Sequence, residues 1–157
     1  MRCSVLRILG LLLIVFVAAP SSSTAAITER VITDLHTGLA ISGYDPVAYF
    51  TDAKPIVGRP EFEYRFSGVI WRFDNEGNLA AFAEHSEQYI PRFGGYDAIA
   101  IARGVALAGN PAFWDIVGER LYLFYSADAL ESFKTDVDTA VAAAEAKWPQ
   151  VMEDLTP

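Results

Sequence analysis

Glu61-Phe62-Glu63-Tyr64-Arg65-Phe66-Ser67-Gly68-Val69-Ile70-Trp71-Arg72-Phe73 is the most legible stretch of the chain. Phe62, Tyr64 and Phe66 alternate with Glu61, Glu63 and Arg65, the period-2 pattern of a half-buried strand. Ser67-Gly68 supplies a two-residue turn. Val69, Trp71 and Phe73 repeat the alternation, so the stretch predicts a β-hairpin with Trp71 in the core.

Reading outward, Asp74 is expected to cap a helix near Asn75 to Glu84, with Leu79, Phe82 and Ala83 inward. Pro91 and Gly94-Gly95 mark a bend. Ala98 to Ala102 is short and apolar, and suits helix or strand. A second hairpin is predicted from Ala112 to Tyr125, turning at Gly118-Glu119. Ser126 caps a helix through Phe133. A last helix starts near Asp136, with Val137, Val141, Ala144 and Trp148 as one apolar stripe, and Pro149 weakens its continuation. Towards the N-terminus, Leu39-Ala40-Ile41 reads as a short strand. Asp45 and Pro46 suit the cap and first position of a helical turn. The order predicts an α+β fold: a small single domain of antiparallel β-hairpins packed with helices, ending in a C-terminal helix. No internal repeat is evident.

The chain has 157 residues and a formal net charge of −8. Arg2 and Arg7 precede an uncharged apolar run from Ile8 to Ala19. That run is too short for a membrane span, and small residues follow it at 23–26. Residues 1–26 therefore read as a signal peptide, with the mature protein periplasmic or secreted. Residues 27–38 form a leading arm, 39–149 the domain and 150–157 a C-terminal tail. The acidic balance argues against nucleic acid and anionic lipid as partners, and no stable membrane insertion is expected after cleavage. Cys3 is the one cysteine and leaves with the leader, so the mature chain offers no disulfide and no thiolate.

Ala40-Ile41-Ser42-Gly43-Tyr44-Asp45-Pro46-Val47-Ala48-Tyr49-Phe50 resembles the opening motif of exported YHS-domain proteins. The resemblance continues through Trp71-Arg72-Phe73 and is strongest at Tyr89-Ile90-Pro91-Arg92-Phe93-Gly94-Gly95-Tyr96. It ends at Gly118-Glu119-Arg120-Leu121-Tyr122-Leu123 and Lys147-Trp148-Pro149, covering roughly residues 39 to 149. It implies a small α+β bacterial domain, often periplasmic, with a poorly defined function. The wider group is suspected of binding metal through cysteine. Here the family's Gly-Gly-Tyr-Cys-Ala is Gly94-Gly95-Tyr96-Asp97-Ala98, so a hard carboxylate replaces a soft thiolate.

Tyr44, Asp45, Tyr96 and Asp97 are the candidate ligand-binding residues, because both pairs sit beside glycine-marked bends. The expectation is that the two pairs come together. Asp45 also has a structural reading as a helix cap, and Gly94-Gly95 as a tight turn. His85 with Asp97 is the candidate pair for a divalent metal ion, although two ligands fall short of a full set. No cofactor is evident, and no hydrolase, metalloprotease, P-loop or dinucleotide motif occurs. Three readings follow: a periplasmic binding or accessory module for a small ligand or protein partner, a hard-metal-binding protein, and an enzyme of unrecognised type.

Overall fold

The computed structural model describes residues 30–155, so the expected signal peptide lies outside the described residues. The α+β architecture is as expected: two antiparallel two-stranded sheets packed with helices. Strands β1 (Arg59–Phe66) and β2 (Val69–Phe73) form the first hairpin, preceded by a short helix α1 (Ala48–Thr51) and followed by α2 (Glu76–Tyr89). The segment Ala98–Ala102 is helix α3. Strands β3 (Asn110–Val117) and β4 (Arg120–Phe124) form the second hairpin, followed by α4 (Ala127–Thr135) and α5 (Val137–Asp154).

The two halves are copies of one unit, which corrects the expectation of no internal repeat. In both, a Gly-Tyr-Asp turn leads into a short helix, a hairpin and a capped helix. The NH of Asp45 bonds the carbonyl of Ile56, and that of Asp97 the carbonyl of Leu107. Gly58 NH bonds Gly43 O, and Gly109 NH bonds Gly95 O. Each hairpin slips register once, between Arg59 and Glu63 in β1 and between Asn110 and Trp114 in β3. Gly58 and Gly109 lie so close to the partner strand that a Cβ would stand 2.6 Å from backbone of Arg72 or from Leu123 Cβ. Both turns, Ser67-Gly68 and Gly118-Glu119, place two residues at positive φ, matching the twist of a tight hairpin.

The packing repeats as well. Phe82 of α2 sits 5.2 Å from Trp71 and 5.1 Å from Phe73. Phe133 of α4 sits 5.3 Å from Tyr122 and 4.8 Å from Phe124. Phe62, Tyr64 and Phe66 pack as half-buried residues against the core that holds Trp71. Strand β4 joins the halves. Its Leu121 and Leu123 enter the first core, while Tyr122 and Phe124 enter the second. Such two-sided burial explains the continuous apolar run from 121 to 124. Across the same boundary the Tyr49 hydroxyl donates to Pro111 O at 2.9 Å, and Arg120 Nη1 donates to Glu87 O at 2.8 Å.

Several local expectations are corrected. Asn75, not Asp74, caps α2, its side chain accepting from Asn78 N. Ser126 caps α4 as expected, and the last helix starts where expected, with Asp136 as its cap. Helix α5 runs through Pro149 to Asp154, so most of the expected tail is helix. Trp148 and the buried Val151 pack against the second core and hold that last stretch in place. Leu39 and Ala40 make single bridges, to Ile70 and Thr33, but Ile41 already begins a 3-10 turn. The leading arm docks through Ile32 N to Gly94 O and Ile41 N to Ile32 O.

Candidate functional site

The two Gly-Tyr-Asp turns place both aspartates inside the protein: Asp45 is 0% exposed and Asp97 is 2% exposed. Asp45 Oδ1 accepts from Val47 N at 2.8 Å and Ala48 N at 3.2 Å, capping the first turn of helix as its sequence context suggests. Its Oδ2 accepts from Asp74 N at 2.8 Å and from the side-chain amide of Asn78 at 2.7 Å. Four donors surround this carboxylate. It ties α1, the end of β2 and the start of α2 together, and all four partners belong to the first unit.

Asp97 does the same work in the second unit with half the partners. Oδ1 accepts from Ala100 N at 2.8 Å, capping α3, and Oδ2 accepts from Tyr125 N at 2.6 Å, at the end of β4. The residue that matches Asn78, three beyond the helix cap, is Ala129. Ala129 has no side-chain donor. A cleft of about 290 Å³ borders Asp97 at this place. Ile99 and Ala100 line it from α3, Arg103 from just past the end of α3, and Asp128, Ala129 and Ser132 from α4. Leu107 and Tyr125, exposed by 37% and 57%, also border it.

Tyr44 packs at the first core and Tyr96, 4% exposed, lies in the second. The two Tyr-Asp pairs thus occupy equivalent places in successive units, each aspartate with its own set of partners, and Asp97 lines the cleft. Of the other tyrosines, Tyr49 is 1% exposed. Burial first, then the nearby Tyr44 and Asp45, push its phenol well above the ordinary value.

His85 stands elsewhere. It lies within α2, not beyond its end, at a kink with φ −132° and ψ 46°. The hydroxyl of Ser86 donates to Phe82 O at 2.7 Å at that kink, a bond that competes with the helix ladder. His85 lines a different hollow, with Phe66, Ala83 and Gln88, and its Nε2 is 3.7 Å from Glu84 Oε1. Gly94-Gly95 serves close packing: a Cβ on Gly94 would fall 1.8 Å from Arg30 O.

A metal held by thiolate does not fit this site, because Asp97 stands at the position in question and both its oxygens take backbone NH groups. Among the described residues no group of three or more His, Cys, Asp or Glu side chains is placed to hold a metal ion. No helix among them is long and apolar enough to cross a membrane. Sequence reading found Asp97 but missed Asn78, Arg103, Tyr125, Asp128 and Ser132. The signal that would have found them is the alignment of Gly43-Tyr44-Asp45 with Gly95-Tyr96-Asp97 and of the caps Asn75 and Ser126. No family model, curated protein or solved structure matches the chain.

Proposed function

We propose that this is an exported, non-enzymatic binding module of the YHS type, which recognises a small ligand in the cleft beside Asp97. One observation carries the reading: two units of the same build each bury an aspartate, the first meeting the side-chain amide of Asn78 and the second lining a cleft beside Ala129, the residue at the matching helix position. The cleft is small, and apolar Ile99, Ala100, Leu107 and Ala129 share its lining with the polar groups of Asp97, Arg103, Ser126, Asp128 and Ser132, which would orient a small molecule.

The test is direct. Protein recovered from the periplasm is denatured, and the released small molecules are identified by mass spectrometry. A single compound at near-stoichiometric yield is expected, with the chain beginning at Ala26 or Ile27. A chain that retains Met1 removes export from the reading. A protein that releases nothing, and that no compound stabilises in a thermal-shift survey, removes the small ligand.

A hard divalent cation is the second reading, because Asp97 and Asp128 line the same cleft. Two carboxylates suit calcium, magnesium or manganese only when further oxygens join them. Stoichiometric metal in elemental analysis would decide for it.

A further inference from the structure

We infer that the cleft beside Asp97 takes a ligand whose inner end is an N–H donor, an ammonium or a primary amide, carried on a short apolar stem. The inference rests on the proposed binding role and names the ligand's chemistry.

Two sites built alike differ in two donors: Asp97 has no match for Val47 N on Oδ1 and none for the side-chain amide of Asn78 on Oδ2. In the first unit, Asp45 Oδ2 takes one backbone donor, Asp74 N, and one side-chain donor, Asn78 Nδ2, at 2.8 and 2.7 Å. In the second, Asp97 Oδ2 takes the matching backbone donor, Tyr125 N, at 2.6 Å. The matching side chain is the methyl group of Ala129. A carboxylate oxygen has room for a second acceptor bond. Asn78 shows which direction that bond takes in this scaffold and what chemistry fills it. The cleft lies on that side of Asp97, with Ala129 and Ala100 in its wall.

The remaining lining sets the rest of the ligand. Ile99, Ala100 and Leu107 offer apolar contact to a stem of a few carbons. Tyr125 and Leu107, large and partly exposed, would lose water when a ligand covers them. A donor that enters a site bounded by a 2% exposed carboxylate makes a charge-assisted bond, stronger than a neutral pair. An anion would meet Asp97 and Asp128 there, with Arg103 alone to offset them.

The experiment uses protein expressed from the full-length chain, labelled with nitrogen-15 and titrated with three probes of one size: n-butylammonium, butyramide and butyrate. Saturable shifts at Ala100, Tyr125 and Ala129 are expected with the ammonium or the amide, and not with butyrate. Ala129→Asn should fill the donor position from within, as Asn78 does. It should weaken donor binding by roughly tenfold or more while the fold is kept. Donor binding that is unchanged in Ala129→Asn overturns the inference. So does preference for butyrate, although the cleft would then stand as a ligand site of another class. Silence with all three probes overturns the donor class, while a compound recovered with the protein would leave the binding role intact. If Ala129→Asn does not fold, Asp97→Asn serves: with an amide in place of the anchoring carboxylate, ammonium binding should weaken by roughly tenfold or more, and unchanged ammonium binding sinks the inference.

Discussion

The side-chain amide of Asn78 donates to the buried Asp45 carboxylate at 2.7 Å, while Asp45 also takes three backbone NH groups. Cutting that one contact leaves a fully buried charge short of a partner. Asn78→Ala is therefore expected to cost about 1.5–3 kcal/mol, the range for a hydrogen bond to a charged group. Urea unfolding with an unchanged m-value checks it. A loss under about 0.5 kcal/mol, ordinary for a surface change, would show that Asp45 is satisfied without Asn78.

Gly94 holds the leading arm. It has φ +61°, and a Cβ there would stand 1.8 Å from the carbonyl oxygen of Arg30. Gly94→Ala should undock residues 30–33, read as faster amide exchange at Ile32, whose NH bonds Gly94 O. Gly68→Ala is the control. Its φ is +81° with nothing within 4 Å of a Cβ, so it should cost only about 1–2 kcal/mol of backbone strain and leave the arm protected. Equal exchange at Ile32 in both variants would contradict this account.

Tyr49 makes stability depend on alkali. Its buried phenol ionises well above the ordinary value near 10, so between those two points the unfolded chain loses its proton first. The stabilising contribution is thus fully present below about pH 10 and is lost as pH rises towards the folded value. Tyr49→Phe is expected to lower stability by about 1 kcal/mol at neutral pH, because Pro111 O loses its donor. The same variant should flatten the decline above about pH 10, measured as urea midpoints against pH. Parallel declines in the two proteins would assign the alkaline loss to other groups.

The hairpins, the cap Ser126, the start of the last helix near Asp136 and the stripe from Val137 to Trp148 were legible because each depends on local periodicity or one side chain. The repeat was not, because it survives in backbone bonds and ring packing more than in identities. Trp71 matches Tyr122, Val69 matches Arg120, and Asn78 matches Ala129, so a reading by residue type passes over it. Asp45 was legible as a cap, but its second oxygen reaches Asp74 N across the fold, a contact that no local pattern announces. The cleft was illegible for a related reason. It shows itself at Ala129, a residue that carries no chemistry of its own, and only comparison with Asn78 makes it informative. Pro149 misled in the opposite direction, since tertiary packing of Trp148 and Val151 outweighs its local effect.

The two aspartates should differ in how they tolerate an amide. An asparagine puts an NH₂ in place of one acceptor oxygen. At position 45 each oxygen takes two donors, so either orientation sets the NH₂ against two N–H groups. At position 97 each oxygen takes one donor, so the NH₂ meets one clash in either orientation. The side chain at 97 also borders the cleft, where an NH₂ displaced from Tyr125 N can turn towards water. Asp45→Asn is therefore expected to be the more damaging, by about 1–3 kcal/mol for the extra unsatisfied pairing. It should also loosen the joint between α1 and α2, read as faster exchange at Val47 and Asp74, whereas Asp97→Asn should speed exchange at Ala100 and Tyr125 alone. Equal losses in the two variants, or a greater loss at 97, would mean that the second unit is sealed as fully as the first. The cleft would then have no claim to be a ligand site.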